Sequence, residues 1–222
     1  MTTRRRDRSR SRGLSTAEVL AGSALTLIAL AGMYSFQLSQ SRALAAQNVY
    51  TDSQNVTRTV IDLLSRELRM AAFDPAGTAL PTAPGPSCPG VKQGLVEGTA
   101  SRLRFRQDLD ANGAIAGPSE DVTYELSGSD LVRTDGGVPT TLVSGIPSNG
   151  FALRYFDGSN PPVELVPVGV PAALTPSQRD CVAKVRITVR AELPNPDPGN
   201  PVPIASEAQT EIAIRNRSLE NF

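Results

Sequence analysis

The chain has 222 residues, a length that fits one folded domain with an additional segment. It contains no His, which excludes a Ser-His-Asp triad, a His-activated Cys nucleophile and His-ligated zinc or iron sites. Its two Cys residues are too few for a four-cysteine zinc or iron–sulfur site. Lys and Arg together number 22, as do Asp and Glu, so the formal net charge is zero.

That zero net charge is an average over two unlike parts of the chain. Residues 1–13 contain six Arg and one Asp, which gives this segment a formal charge of +5 and the remaining 209 residues a charge of −5. An Arg-rich N-terminus can bind nucleic acid, form a solvated tail, or flank the cytoplasmic end of a membrane segment. The sequence that follows favours the third interpretation. We expect no nucleic-acid partner for the remaining 209 residues.

An uncharged segment of 23 residues extends from Val19 to Ser41. As a helix it would be about 35 Å long, enough to cross a hydrocarbon core of about 30 Å. The Arg residues before it favour a cytoplasmic N-terminus and an extracytoplasmic C-terminal domain. The alternative is a cleaved signal peptide ending near Ala43–Ala45, whose apolar core would be longer than the usual ~7–15 residues.

Glu18 stands at the start of this apolar segment. A carboxylate in or near a membrane helix is costly, so it is a candidate functional residue that needs a partner. The alternative is that its side chain extends to the lipid headgroups.

The basic leader, Gly13, the segment Leu14–Glu18 and the apolar helix together resemble the class III signal of type IV pilins and type II secretion pseudopilins. The resemblance implies that a prepilin peptidase cuts between Gly13 and Leu14, that Leu14 is then N-methylated, and that Glu18 acts in assembly. Glu18 of a neighbouring subunit would neutralise the new α-amine inside the apolar fibre core. Leu14 stands where Phe is commoner in that family. The resemblance also implies a bacterial inner-membrane location, then a fibre, with other pilins or pseudopilins as partners.

Beyond the apolar segment the chain remains compatible with helix up to Phe73. Apolar residues recur there at helical spacing and predict a face that packs on a sheet. They are Val49, Val56, Val60, Leu63, Leu64, Leu68 and Met70. Pro75 should stop the helix. We therefore expect one helix over residues 14–73, with residues 14–41 crossing the membrane and residues 42–73 packing on the following domain.

Residues 74–222 should form an extracytoplasmic, β-rich domain. Two Pro-rich segments, 75–90 and 194–203, predict extended loops. Period-two alternation predicts half-exposed antiparallel strands in residues 102–109, 122–126, 185–190 and 211–215. Turn signals lie at Ser127-Gly128, Asp135-Gly136-Gly137 and Asp157-Gly158. The predicted fold class is α+β and pilin-like, with a long N-terminal helix on a mostly antiparallel domain. The strand order cannot be read from these patterns.

Asp108, Asp110 and Asn112 occupy alternate positions before a Gly, like the first ligands of an EF-hand loop. Three oxygen ligands in this arrangement suit a hard cation such as calcium. The twelfth position of the loop is Ser119 rather than Glu, and Glu120 follows one position late. A full EF-hand is therefore not expected. The alternative is an Asp/Asn/Gly turn without an ion.

Cys88 and Cys181 both lie in the part of the chain expected outside the cytoplasm. An even pair of Cys in an oxidising compartment predicts a disulfide. The alternative is two free thiols.

Three short segments resemble the PilW/GspJ branch of minor pilins: residues 104–110, 122–124 and 214–216. The end of the helix, residues 64–73, resembles PilW-like minor pilins as well. These resemblances favour a non-enzymatic minor pilin, without a required cofactor, near the tip of a type IV pilus. A GspJ-like pseudopilin of a type II secretion system is the alternative within the same class. The rival from another class is a membrane-anchored periplasmic binding domain or enzyme.

Overall fold

The computed structural model describes residues 15–84 and 88–216. The basic leader and the expected cleavage bond between Gly13 and Leu14 lie outside the described residues. The chain divides into two compact units, the first ending at Ala45 and the second beginning at Ala46. The fold class is α+β, as predicted, because a long N-terminal helix precedes two antiparallel sheets.

Helix α1 comprises Thr16–Met70, a length of 55 residues. The predicted end, Phe73, lies three residues too far along the chain. Ala72 has a φ of 66°, in the left-handed region where helices commonly terminate. The helix therefore ends before Pro75 could interrupt it.

The N-terminal part of α1 is apolar and exposed. By length and composition this helix could cross a membrane, and its apolar window has no buried residue within the chain. Eight of its large hydrophobic side chains are more than 60% exposed: Leu20, Leu25, Leu27, Ile28, Met33, Tyr34, Phe36 and Leu44. A surface of this kind on a soluble protein marks a site of contact with lipid or with another protein.

Nine strands follow the helix in the described residues, together with one short helix. The strands are β1 Leu95–Gly98, β2 Arg102–Arg106, β3 Asp121–Ser127, β4 Asp130–Asp135, β5 Val138–Ser144, β6 Phe151–Phe156, β7 Glu164–Leu165, β8 Lys184–Leu193 and β9 Ile204–Ala213. The short helix, α2, comprises Pro176–Cys181 and was not indicated by the sequence patterns. The first sheet is a meander with the order β1-β2-β3-β4-β5, and the second has the order β7-β6-β8-β9.

The predicted alternation is confirmed for β3 and β8, whereas residues 211–215 cover only the end of β9, which begins at Ile204. Val185, Ile187 and Val189 are fully buried in β8, and the predicted Pro-rich loop 194–203 fills the whole gap between β8 and β9. The alternation predicted over residues 102–109 is too long, since β2 ends at Arg106 and Leu109 is 40% exposed. Beyond β2 the chain instead bonds to the helix end, where Asp108 N donates to Phe73 O at 2.7 Å.

The C-terminal part of α1 packs on the sheets through one buried face. Its buried residues are Ser53, Thr57, Val60, Leu64 and Leu68, at steps of three and four. The predicted face is therefore confirmed at Val60, Leu64 and Leu68. The prediction is wrong at Met70, which is 36% exposed because the buried row continues to Ala71 instead.

The N-terminal end of this buried face is polar. Ser53 Oγ donates to Ser206 Oγ of β9 at 3.0 Å, and Thr57 Oγ1 lies 3.3 Å from the same oxygen. Ser53 Oγ also donates to Ala191 O of β8 at 3.4 Å. These bonds satisfy buried hydroxyl groups that would otherwise be costly to bury.

The first Pro-rich loop is held by an ion pair and a disulfide. Lys92 Nζ lies 3.0 Å from Asp74 Oδ2, and both side chains are almost completely buried. The predicted disulfide joins Cys88 to Cys181, with Cα atoms 5.5 Å apart and a sequence separation of 93 residues. In the chain-entropy model, closing a loop of this length stabilises the folded state by about 4 kcal/mol.

Gly94 lies where the end of α1 meets the first sheet. Arg106 N donates to Gly94 O at 2.7 Å, and Ala72 N donates to Arg106 O at 3.0 Å. A Cβ atom added at Gly94 would lie 2.3 Å from Ala72 N, closer than real Cβ atoms approach backbone. Only glycine therefore permits this close contact between helix end and sheet.

We expect Gly94→Ala to lower the free energy of unfolding by about 3 kcal/mol, because the clash involves backbone that cannot move aside. Gly158→Ala is the matched control, since its added Cβ would lie 3.6 Å from Ala183 Cβ in ordinary contact. The control should change stability by less than about 0.5 kcal/mol. Denaturant unfolding of the full chain in detergent micelles measures both values. Equal stability of the two variants would contradict this packing.

Candidate functional site

Glu18 forms a capping box with Ser15 at the start of α1. Ser15 N donates to Glu18 Oε2 at 2.9 Å, and Glu18 N donates to Ser15 Oγ at 3.4 Å. Ser15 O also accepts from Val19 N at 3.1 Å, the first backbone bond of the helix. The reciprocal bonds satisfy two donors at the N-terminus that the helix itself leaves unpaired.

Ser15 was missed as a functional residue by sequence reasoning. The signal was present, since Ser15-Thr16-Ala17-Glu18 has the S-x-x-E spacing of a capping box directly before an apolar run. The negative charge of Glu18 also interacts favourably with the positive end of the helix dipole. Glu18 therefore stabilises its own helix, whatever further role it has.

Asp108, in the candidate calcium set, is fully buried just after β2. Its Oδ2 accepts from Gly113 N at 3.0 Å, which closes the loop. Its Oδ1 is buried and has no hydrogen-bond partner within the described chain. A buried carboxylate oxygen without a partner is rare in native proteins.

Asp110 and Asn112 bond to each other at the exposed side of the loop. Asn112 Nδ2 donates to Asp110 Oδ2 at 2.8 Å, and Asn112 N donates to Asp110 Oδ1 at 3.1 Å. Asn112 Oδ1 accepts from Ala114 N at 2.8 Å. The structure thus gives Asn112 a role within the loop and does not place it in the carboxylate cluster described next.

Glu120 takes the third place beside the two aspartates. One carboxylate oxygen from each of Asp108, Asp110 and Glu120 lies within 4.8 Å of the other two. Glu120 is 1% exposed. Its position in the sequence was a weak signal, since Glu120 stands one position beyond the twelfth of an EF-hand loop. The sequence did not show that Glu120 lies beside Asp108 and Asp110.

The carboxylate of Glu120 also organises the loop backbone. Its oxygens accept from Leu109 N at 3.0 Å, from Ala116 N at 3.0 Å and from Gly117 N at 2.5 Å. Burial opposes ionisation, but the backbone N–H groups outweigh it and hold the pKa of Glu120 below its ordinary value. Glu120 therefore remains charged in the folded protein at neutral pH.

A second charged cluster joins α1 to the first sheet. Tyr124 Oη donates to Glu67 Oε2 at 2.5 Å, and Arg133 Nη2 lies 3.0 Å from Glu67 Oε1. Burial and the Glu67 carboxylate raise the pKa of the Tyr124 hydroxyl well above its usual range. Arg133 also donates to Asp135 and to Ser119, which lies beside Glu120. This network fixes the position of the helix against β3 and β4.

No protein-family model matches the chain, and no curated protein matches it. A solved structure, a type IV-like pilin from Thermus thermophilus, matches with 16% identity over 76% of this chain and 98% of that chain. The TM-score is 0.41. Because identity and TM-score are both low, the match transfers no residue role and no activity to this chain.

We expect Glu120→Gln to weaken the acid sensitivity of folding. The pKa of Glu120 is lowered on folding, so its stabilising effect is complete well above 4.5, the ordinary value, and is lost as pH falls through the folded-state value. The wild-type chain should therefore lose more stability than the variant between pH 7 and pH 3. Denaturant unfolding of both chains across this range measures the difference, and parallel curves would contradict it.

Proposed function

We propose that the chain is a structural subunit of a pilin-like fibre, anchored in the inner membrane and assembled through its N-terminal helix. The main observation behind this proposal is that the N-terminal part of α1 is apolar and exposed. Glu18 stands at its start and is the only charged residue between Ala17 and Ser41. The class III signal-like sequence at Gly13 and Leu14 supports the same proposal. An exposed apolar helix of this length requires lipid before assembly and other subunits after it.

In this proposal the leader is removed by prepilin peptidase between Gly13 and Leu14, and Leu14 is then N-methylated. Glu18 is the residue that pairs with the new α-amine of a neighbouring subunit. Its capping bond to Ser15 N uses one acceptor position of a carboxylate that has about four. Glu18 can therefore cap its own helix and accept from a neighbour.

The second unit is, on this proposal, the extracytoplasmic part of the subunit. The disulfide between Cys88 and Cys181 supports this location, because disulfides persist in oxidising compartments. The short sequence resemblances support a PilW-like minor pilin, with a GspJ-like pseudopilin as the alternative. The proposed location near the fibre tip rests on analogy with that family and on the large β-rich domain. Its presence in sheared surface pili would favour the first, and its requirement for secretion without surface pili the second.

We expect the mature protein to begin at Leu14 with a methylated α-amine. Mass spectrometry of the intact protein, purified from a host that expresses a prepilin peptidase, measures this N-terminus. A mature N-terminus near Ala46 would instead identify an ordinary secreted protein and overturn the proposal. A host without the peptidase is the control and should yield the chain with its leader.

Three variants separate the charge of Glu18 from its capping role. Glu18→Ala removes both, Glu18→Gln removes the charge and keeps an acceptor for Ser15 N, and Ser15→Ala removes one capping bond and keeps the charge. We expect all three to be processed, with incorporation into fibres lost for both Glu18 variants and retained for Ser15→Ala.

Incorporation is measured as the amount of the chain in sheared or purified fibres relative to the membrane fraction. Wild-type incorporation of Glu18→Gln would show that the charge is dispensable and would contradict the assembly role. Equal loss in Ser15→Ala and Glu18→Gln would assign the effect to the helix start instead.

A further inference from the structure

We infer that the loop between β2 and β3 binds one calcium ion through Asp108 and Asp110, with Glu120 as the third carboxylate of the site. This ligand set differs from the candidate set of Asp108, Asp110 and Asn112 that the sequence suggested. The ion would bind outside the cytoplasm, in the second unit. The inference is independent of how the N-terminal helix assembles.

The spacing of the three carboxylates suits calcium. Their oxygens lie within 4.8 Å of one another. Calcium binds oxygen at 2.3–2.6 Å, so two ligands on opposite sides of one ion can be up to about 5 Å apart. One oxygen from each of the three side chains is therefore about as close to the other two as ligands of a single calcium ion are.

Asp108 provides an independent observation that points to a ligand. The side chain is fully buried, and its Oδ1 accepts no hydrogen bond within the described chain. Leaving a buried charged oxygen unpaired is costly. A cation beside this oxygen would remove that cost.

The three carboxylates have no Lys or Arg partner within the described residues. Across residues 15–84 and 88–216, no Lys or Arg side chain forms an ion pair with Asp108, Asp110 or Glu120, although nearby Arg104, Arg106 and Arg133 pair with other acids. Three carboxylates so close together repel one another unless a positive charge lies between them. A divalent ion meets this requirement.

Calcium fits the site better than magnesium. Magnesium requires nearly ideal octahedral geometry and keeps most of its water, whereas calcium accepts irregular sets of carboxylate oxygens. Glu120 is already fixed by backbone N–H groups and Asp110 by Asn112, so the ligands cannot adjust freely. An extracellular site of this kind has a dissociation constant of about 10⁻⁴–10⁻³ M.

Bound calcium would stabilise the junction between α1 and the first sheet. Asp108 N donates to Phe73 O, and Gly113 N donates to Asp108 Oδ2. Asp108 therefore bonds both to the end of α1 and to its own loop. Holding the Asp108 carboxylate in place therefore holds both connections. Calcium should raise the thermal stability of the second unit.

The test uses the full chain in detergent micelles, stripped with EDTA and then given calcium chloride, magnesium chloride or sodium chloride at matched ionic strength. We expect 10 mM calcium to raise the Tm by about 3–10 °C, and magnesium and sodium to have much smaller effects. Titration calorimetry should give one calcium ion per chain.

Asp110→Asn is the main variant, since Asp110 is exposed and Asn keeps an acceptor for the backbone of Asn112. It should weaken calcium binding about tenfold or more and remove most of the Tm shift. Glu207→Gln, at an exposed position on β9, is the matched control and should bind calcium like the wild type.

The inference is overturned if calcium does not raise the Tm of the wild type more than magnesium does, or if Asp110→Asn binds calcium as tightly as Glu207→Gln. Failure here would leave the N-terminal processing and incorporation results unchanged, which separates the two proposals.

Discussion

Burial of one face of helix α1 against both sheets determines the arrangement of the second unit. Leu64 and Leu68 are fully buried in the common core. At one end of this face Ser53 bonds to Ser206 in the second sheet, and near the other end Glu67 binds Tyr124 in the first. The helix face therefore adds to direct bonds between the two sheets, such as that from Tyr155 Oη in β6 to Thr99 O after β1.

The C-terminal end of α1 also holds the loop between β2 and β3, which contains Asp108, Asp110 and Glu120. Backbone bonds from Ala72 and to Phe73 connect it with β2 and with Asp108. These bonds join backbone atoms, so they do not depend on the carboxylates of the loop. The close approach at Gly94 makes the connection possible. Backbone bonds at the end of α1 therefore position the segment that carries the Asp108 carboxylate.

Local patterns in the sequence predicted local structure well. Alternation identified β3 and β8, proline density identified the loop after β8, and helical spacing identified Leu64 and Leu68. The order of strands in each sheet could not be predicted, because antiparallel strands of similar composition can pair in many orders. Glu120 was not predicted as a partner of Asp108 because the fold, not the spacing, brings them together. Met70 was misplaced because the buried row of the helix continues from Leu68 to Ala71.

The capping box at Ser15 and Glu18 has a consequence for maturation. Both residues lie on the C-terminal side of the Gly13–Leu14 bond, so removal of the leader on the proposed route would leave every capping bond in place. The first turn would not need to re-form around a new chain end. Proteolysis and helix nucleation would then be separate events. The first turn of α1 would already be formed when the peptidase releases the subunit.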